Sequence, residues 1–113
     1  MVVQRKNPLD AFMHSGVLIG ASVSFQLLET IFYPGSALHD GAVLIKSNTI
    51  VSAANVLPLS HKHVDEKIGT RHRAALGLSE KSDALILVVS EETGRASFAV
   101  GGKLYPIHPG GLI

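Results

Sequence analysis

Two polar motifs about thirty residues apart, close to the span of a βαβ unit, constrain this chain more than any other feature. The first, Leu38-His39-Asp40-Gly41-Ala42, runs straight into the apolar stretch Val43-Leu44-Ile45. The second, Gly69-Thr70-Arg71-His72-Arg73, runs into a helical pattern over residues 74–80. A carboxylate beside a glycine therefore opens a strand, and two guanidinium groups open a helix. In α/β sheets, polar site residues gather where strands and helices begin and end. These residue types suit a metal-assisted reaction on a phosphate.

The pattern around the motifs supplies the elements. Residues 1–5 read as a short strand, and Asn7-Pro8 opens a short helix that Gly16 ends. Val17 and Ile19 alternate with small residues, as in a strand. Ser24 is placed to cap a helix over residues 25–32, with Leu27, Leu28 and Ile31 on one face. Tyr33-Pro34-Gly35-Ser36 is a turn. Residues 42–46 and 49–57 form a hairpin about Ser47-Asn48, and Pro58 breaks its second strand. Residues 60–69 are polar loop. Thr70 caps a helix running from Arg71 to about Ser79. Residues 84–90, apolar and β-rich, read as a central strand buried on both faces. Residues 95–100 and 103–107 flank Gly101-Gly102 as a second hairpin, and Pro109-Gly110-Gly111 ends the fold. This order predicts an α/β fold: a mixed β-sheet in a single domain, flanked by helices on its faces.

Composition narrows the class. At 113 residues the chain is one domain, able to bury roughly two thirds of its unfolded surface without staples. The absence of cysteine excludes disulfides, thiolate metal sites and a cysteine nucleophile. A net charge of +1 lacks the basic excess of duplex binders, so no DNA or RNA partner is expected. The longest wholly apolar run, residues 84–89, is far below the ~18 residues of a membrane span, and no signal peptide is visible.

With both motifs in order, the chain resembles the diadenylate cyclase (DAC) domain family, most like the membrane-anchored type of cyclic di-AMP synthase. The likeness extends through Val2-Val3-Gln4-Arg5-Lys6, Leu27-Leu28-Glu29-Thr30-Ile31-Phe32, Leu57-Pro58-Leu59-Ser60 and Ser90-Glu91-Glu92-Thr93-Gly94. It implies a seven-stranded mixed sheet and a bacterial nucleotidyltransferase. Such an enzyme condenses two ATP into the second messenger cyclic di-AMP and two pyrophosphates. Each ribose 3′-hydroxyl attacks the other ATP's α-phosphate across a face-to-face homodimer, with Mn²⁺, Mg²⁺ or Co²⁺ assisting. Residues 1–113 would then be the catalytic domain, without the leading helix and hydrophobic anchor of that type. The full-length protein would hold it on the cytoplasmic side, at the inner face of the cell membrane, touching lipid only through segments outside these residues. The resemblance also implies regulatory partners, a membrane-anchored regulatory protein and a phosphoglucosamine mutase.

The resemblance implies roles residue by residue. Asp40, Gly41, Arg71 and Arg73 would be catalytic, with Asp40 helping to deprotonate the 3′-hydroxyl and Gly41 letting a nucleotide approach the backbone closely. His39, Asp40 and Glu92 would hold the metal; an imidazole beside a carboxylate suits such ions. Gly69, Thr70, Arg71, His72 and Arg73 would bind the triphosphate, since a helix N-terminus and guanidinium forks both favour phosphate oxygens. Ser90 and Glu91 would contact phosphate, and Val56 and Leu57, with Pro58 and Leu59, would form the adenine slot. Plainer readings stand beside these. Asp40-Gly41 can be a simple turn, Arg71 and Arg73 solvated arginines, residues 90–94 a charged turn, and residues 56–59 core. His61-Lys62-His63 reads as solvated loop. At the level of the whole domain, a non-catalytic holder of ATP or cyclic di-AMP and an interaction domain are the alternatives to an enzyme.

Overall fold

Val43, Leu44 and Ile45 are all buried although they are consecutive, so the strand they form is covered on both faces. In the computed structural model, which describes residues 1–57, 69–89 and 95–107, this strand stands near the middle of a seven-stranded sheet. The elements in chain order are β1 (Val2–Val3), β2 (Val17–Ser22), α1 (Phe25–Phe32), β3 (Ala42–Lys46), β4 (Thr49–Asn55), α2 (Thr70–Lys81), β5 (Leu85–Val89), β6 (Ala96–Val100) and β7 (Lys103–Pro106). Across the sheet the order is β2-β4-β3-β1-β5-β6-β7. β1 pairs parallel with β3, with Val2 opposite Leu44, and the other neighbours are antiparallel. The mixed sheet expected from the element order is the fold observed.

The period-two alternation of β3 divides the core in two. Val43 and Ile45 join Ile31, Ile50 and Ala53 beneath α1. Leu44 points the other way, into a cluster with Val2, Leu9, Met13, Leu78, Ile86, Val88 and Ala99 beneath α2. Each large aliphatic side chain buried here contributes about 1.5–3 kcal/mol. In α1, Ser24 caps as expected, its Oγ accepting from the Leu27 N–H at 3.1 Å, and Leu27, Leu28 and Ile31 face the sheet. The β6–β7 hairpin turns through Gly101 and Gly102, both at positive φ, as a type I′ turn requires. Phe98 and Tyr105 stack across it with ring centroids 5.2 Å apart.

Four expectations are corrected. The helix expected after Asn7-Pro8 is a single turn, in which the N–H groups of Phe12 and Met13 both donate to the Leu9 carbonyl at 2.9 Å. Too few residues separate Pro8 from Gly16 to propagate further, and burial of Leu9 and Met13 holds the turn instead. The strand after Asp83 is not buried on both faces. Ile86 and Val88 are buried beneath α2, whereas Leu85 and Val89 are 38% and 44% exposed, so the doubly covered strand is β3. Thr70 is not the cap of α2 but its first helical residue; Gly69 occupies the cap position, and no side chain bonds there. β4 stops at Asn55 rather than Leu57. The loop read at residues 60–69 falls, up to Ile68, outside the described residues.

α2 is buried at five successive positions, Ala75 to Ser79, because it lies against β5, β6 and β7. Ser79 Oγ donates to the Leu76 carbonyl and accepts the Gly102 N–H at 3.0 Å, tying the helix to the hairpin. Just past its C-terminus, the Asp83 carboxylate accepts the N–H groups of Lys6 and Asn7, each at 3.0 Å. Those bonds, Asn7 foremost, hold its pKa below the ordinary 3.8. Among the described residues no helix is long and apolar enough to cross a membrane.

Because the folded-state pKa of Asp83 is depressed, its contribution is present above 3.8 and lost as pH falls through the lowered value. Asp83→Ala is therefore expected to lower the melting temperature at neutral pH. Thermal unfolding followed across the acid range should show the wild-type advantage vanishing at the acid end.

Candidate active site

The turn that carries Asp40 is organised by Ser36. Its N–H donates to the Tyr33 carbonyl at 2.9 Å, closing the turn after α1. Its Oγ accepts the Leu38 N–H at 3.1 Å. Its carbonyl accepts both the His39 N–H at 3.3 Å and the His39 ring Nδ1 at 2.7 Å. A carbonyl oxygen can only accept, so Nδ1 carries the ring proton. In the neutral ring this tautomer leaves the lone pair on Nε2, the form of imidazole that ligates a metal. Leu38 packs against the cluster beneath α1, which anchors the turn while His39 and Asp40 stay exposed. Asp40 Oδ1 accepts the Gly41 N–H at 3.1 Å.

Gly41 is required for a reason the sequence does not display. Its φ is +89°, and a Cβ would lie 2.8 Å from Ala54 C and from the Asn55 carbonyl oxygen. The close approach made possible by the missing side chain is thus to β4. That strand is irregular at this point. Its register against β3 shifts twice, and Ala54 adopts φ +57°, so β4 bulges under the turn. Asn55, 1% exposed, holds the bulge. Its Nδ2 donates to the Ala42 carbonyl at 3.0 Å and to Ser52 Oγ at 2.9 Å, while its Oδ1 accepts the Gly16 N–H at 3.0 Å. Next to it, the Val56 N–H donates to Ser15 Oγ at 3.0 Å. Sequence reasoning missed Asn55, Ser15, Gly16 and Ser36. The available signal was an asparagine, a residue depleted in strands, at the end of β4.

The start of α2 carries the second motif. Arg71 and Arg73 are exposed and His72 between them is half-buried. Arg71 Nη1 reaches the Val89 carbonyl at 3.4 Å, so its guanidinium lies over the end of β5. Burial, with the Arg71 charge nearby, pushes the Met1 amino group down to about 6. Burial also pushes His72 below 6.5, so the motif presents two permanent cations rather than three. Thr70 and Gly69 are exposed, and with no side chain capping the helix its positive end faces outward.

The strand directions bring these pieces together. β3 begins, and β4 and β5 end, at one edge of the sheet. Asp40, Val56 and the Arg71–Val89 contact therefore share that edge. β3 and β5 flank β1, which separates them by about 10 Å, two strand spacings. The two motifs therefore stand on either side of β1. The expected adenine ridge divides: Val56 is 74% exposed, whereas Leu57 packs against the core beneath α2. Ser90, Glu91 and Glu92, like Pro58 and Leu59, lie outside the described residues. Among the described residues no group of three His, Cys, Asp or Glu side chains can hold a metal. His39 and Asp40 are adjacent and exposed, and the carboxylate is a ligand type that suits Mn²⁺ and Mg²⁺.

Comparison with known proteins identifies the family. The sequence profile of the family described as "DAC: DisA bacterial checkpoint controller nucleotide-binding" matches residues 1–104. The diadenylate cyclase CdaS of Bacillus thuringiensis is 63% identical over 95% of this chain and 54% of its own length. A solved structure from Bacillus cereus, described as a hypothetical membrane spanning protein, superposes with a TM-score of 0.92 at 63% identity, over 95% of this chain and 53% of that one. DacA of Staphylococcus aureus superposes with a TM-score of 0.91 at 39% identity, over 98% of this chain and 75% of that one. The chain spans about half the length of the CdaS relatives it matches. By sequence and by fold, this chain belongs to the diadenylate cyclase (DAC) domain family.

Proposed function

We propose that the chain is the catalytic domain of a diadenylate cyclase, which joins two ATP into cyclic di-AMP and releases two pyrophosphates. The observation that carries this reading is the shared sheet edge. There an exposed carboxylate on a hydrogen-bonded turn and a cationic helix end stand on either side of β1, in a chain 63% identical to a CdaS cyclase.

In this reading the triphosphate lies at the start of α2. Arg71 and Arg73 bind its oxygens with their planar forks, the first-turn N–H groups and Thr70 add donors, and the helix end adds partial positive charge. Gly69 and His72 shape that end, and the resemblance adds Ser90 and Glu91 as phosphate contacts. Val56 and Leu57 border the adenine. His39 and Asp40, with Glu92, would hold a divalent ion, which when bound supplies charge stabilisation at the α-phosphate and acidifies the attacking hydroxyl. Asp40 accepts the proton of the 3′-hydroxyl. The freed oxygen attacks the α-phosphorus of the other ATP, the new phosphodiester bond forms, and pyrophosphate leaves from the opposite side.

One domain with one nucleotide site cannot present both reactants. In-line attack needs the reacting atoms about 3–3.5 Å apart, and two copies facing across a two-fold axis meet that need symmetrically. The active form is therefore a homodimer with one ATP in each protomer. The expected place at the inner face of the cell membrane, and the expected regulatory partners, rest on the anchored-type resemblance; a relative described as membrane spanning supports the former.

The test is to incubate the purified protein with ATP and Mn²⁺, Mg²⁺ or Co²⁺ and to measure cyclic di-AMP by mass spectrometry. Asp40→Asn is expected to keep the wild-type melting temperature and to lose product by at least about 10²- to 10⁴-fold, the scale of a lost general base. Undiminished product from that variant would remove Asp40 from the mechanism. Arg71→Ala is expected to weaken ATP affinity as well as rate. Activity per protein should fall on dilution below the dimer's dissociation range, and constant specific activity would contradict the dimer. ATP binding without product would favour a non-catalytic holder of nucleotide, and no binding would favour an interaction domain.

A further inference from the structure

The three hydrogen bonds of Asn55 gather at the edge where Asp40 stands. Resting on the cyclase reading, we infer that Asn55 is a positioning residue for the reaction: its buried side-chain amide holds the Asp40–Gly41 turn in register with β4. Asn55 makes no part of the exposed site, being 1% exposed. Its action passes through the backbone. The Nδ2 bond to the Ala42 carbonyl is made two residues after Asp40, at the position where Ala42 and Asn55 face each other across the bulge. The Asn55 carbonyl oxygen lies directly against Gly41, 2.8 Å from where a Cβ would stand. A turn held at both points fixes the backbone that carries the Asp40 carboxylate.

The other end of the amide supports the same assignment. Asn55 Oδ1 accepts the Gly16 N–H, and a Cβ at Gly16 would overlap the Ala53 carbonyl and approach Asn55 Oδ1 to 2.5 Å. Together with the Ser15 Oγ bond to the Val56 N–H, the segment before β2 clamps the end of β4 from outside. A non-repetitive stretch of β4 with a positive-φ alanine thereby gains side-chain bonds in addition to its irregular ladder pairing. Strain of this kind persists where the surroundings over-determine it, and it clusters at functional sites.

Truncating the amide releases the turn but removes no group that touches substrate. In Asn55→Ala and Asn55→Ser, whose side chains are too short to reach the Ala42 carbonyl, the maximal rate should fall by about 10- to 100-fold, as misplacement by an ångström does. The Mn²⁺ concentration for half-maximal activity should rise in both. Binding of 3′-deoxy-ATP, which cannot react, should stay within about threefold of wild type, because the triphosphate site on α2 is untouched. Ser52→Ala is the control: it removes one Asn55 bond but keeps those to Ala42 and Gly16, so it should lower the melting temperature and leave the rate near wild type. Rates are compared per folded protein, well below each melting temperature, and Asn55→Ser serves if the alanine variant does not fold. Wild-type rate and metal response in a folded Asn55 variant would overturn the inference alone. So would a rate loss that Ser52→Ala reproduces in full, since stability would then account for it. An inactive wild type would overturn the cyclase reading and this inference with it.

Discussion

The parallel pairing of β1 with β3, in a sheet whose other described pairs are antiparallel, decides where everything else goes. β1 lies between β3 and β5 and runs with one and against the other. That forces β3 to start where β5 ends. The turn before β3 carries Asp40, and the helix beside the end of β5 carries Arg71. A carboxylate and a guanidinium from motifs about thirty residues apart therefore reach one edge without either element bending. A parallel pair needs a long crossover, and the chain uses it well: the connection from β1 to β3 contains the Leu9 turn, β2 and α1. Its Leu9 turn and α1 help to cover the two faces of β3.

Regular pairing fails at that same edge, and buried polar groups replace it. β4 bulges twice against β3, which leaves backbone groups in need of other partners. Asn55 and Ser15 supply them. Each such group left unpaired in the interior would cost about 1–3 kcal/mol. Among the described residues no buried side-chain nitrogen or oxygen lacks a partner. The irregular edge is thus made rigid, and rigidity there is what a turn presenting a carboxylate to a substrate needs.

Charge follows the same economy. The chain as a whole carries only +1, so recognition of a polyanion depends on where charges stand. Arg71 and Arg73 are exposed at the positive end of α2, and burial keeps His72 neutral between them. Two guanidinium groups thus stand together at one helix end, a placement that suits phosphate oxygens.

Much of this was legible in residue order. The hairpins, the Ser24 cap, α1 and the two motifs declare themselves through alternation, capping and turn residues, which act over a few positions. Thr70 was misplaced by one residue because Gly69 takes the cap. The strand after Asp83 was misjudged because an unbroken apolar run does not tell whether both faces are covered; α2 covers one face of β5, and Leu85 and Val89 remain partly open on the other. Asn55 was passed over because its partners, Gly16 and Ala42, are far away in sequence. The sequence by itself determined the family and most of the element types, since these depend on residue identity and local spacing. Tertiary structure alone decided that Asp40 and Arg71 share an edge, that Gly41 is packed against β4 and that Asn55 holds the turn, because strand order and register arise from long-range pairing that no local pattern encodes.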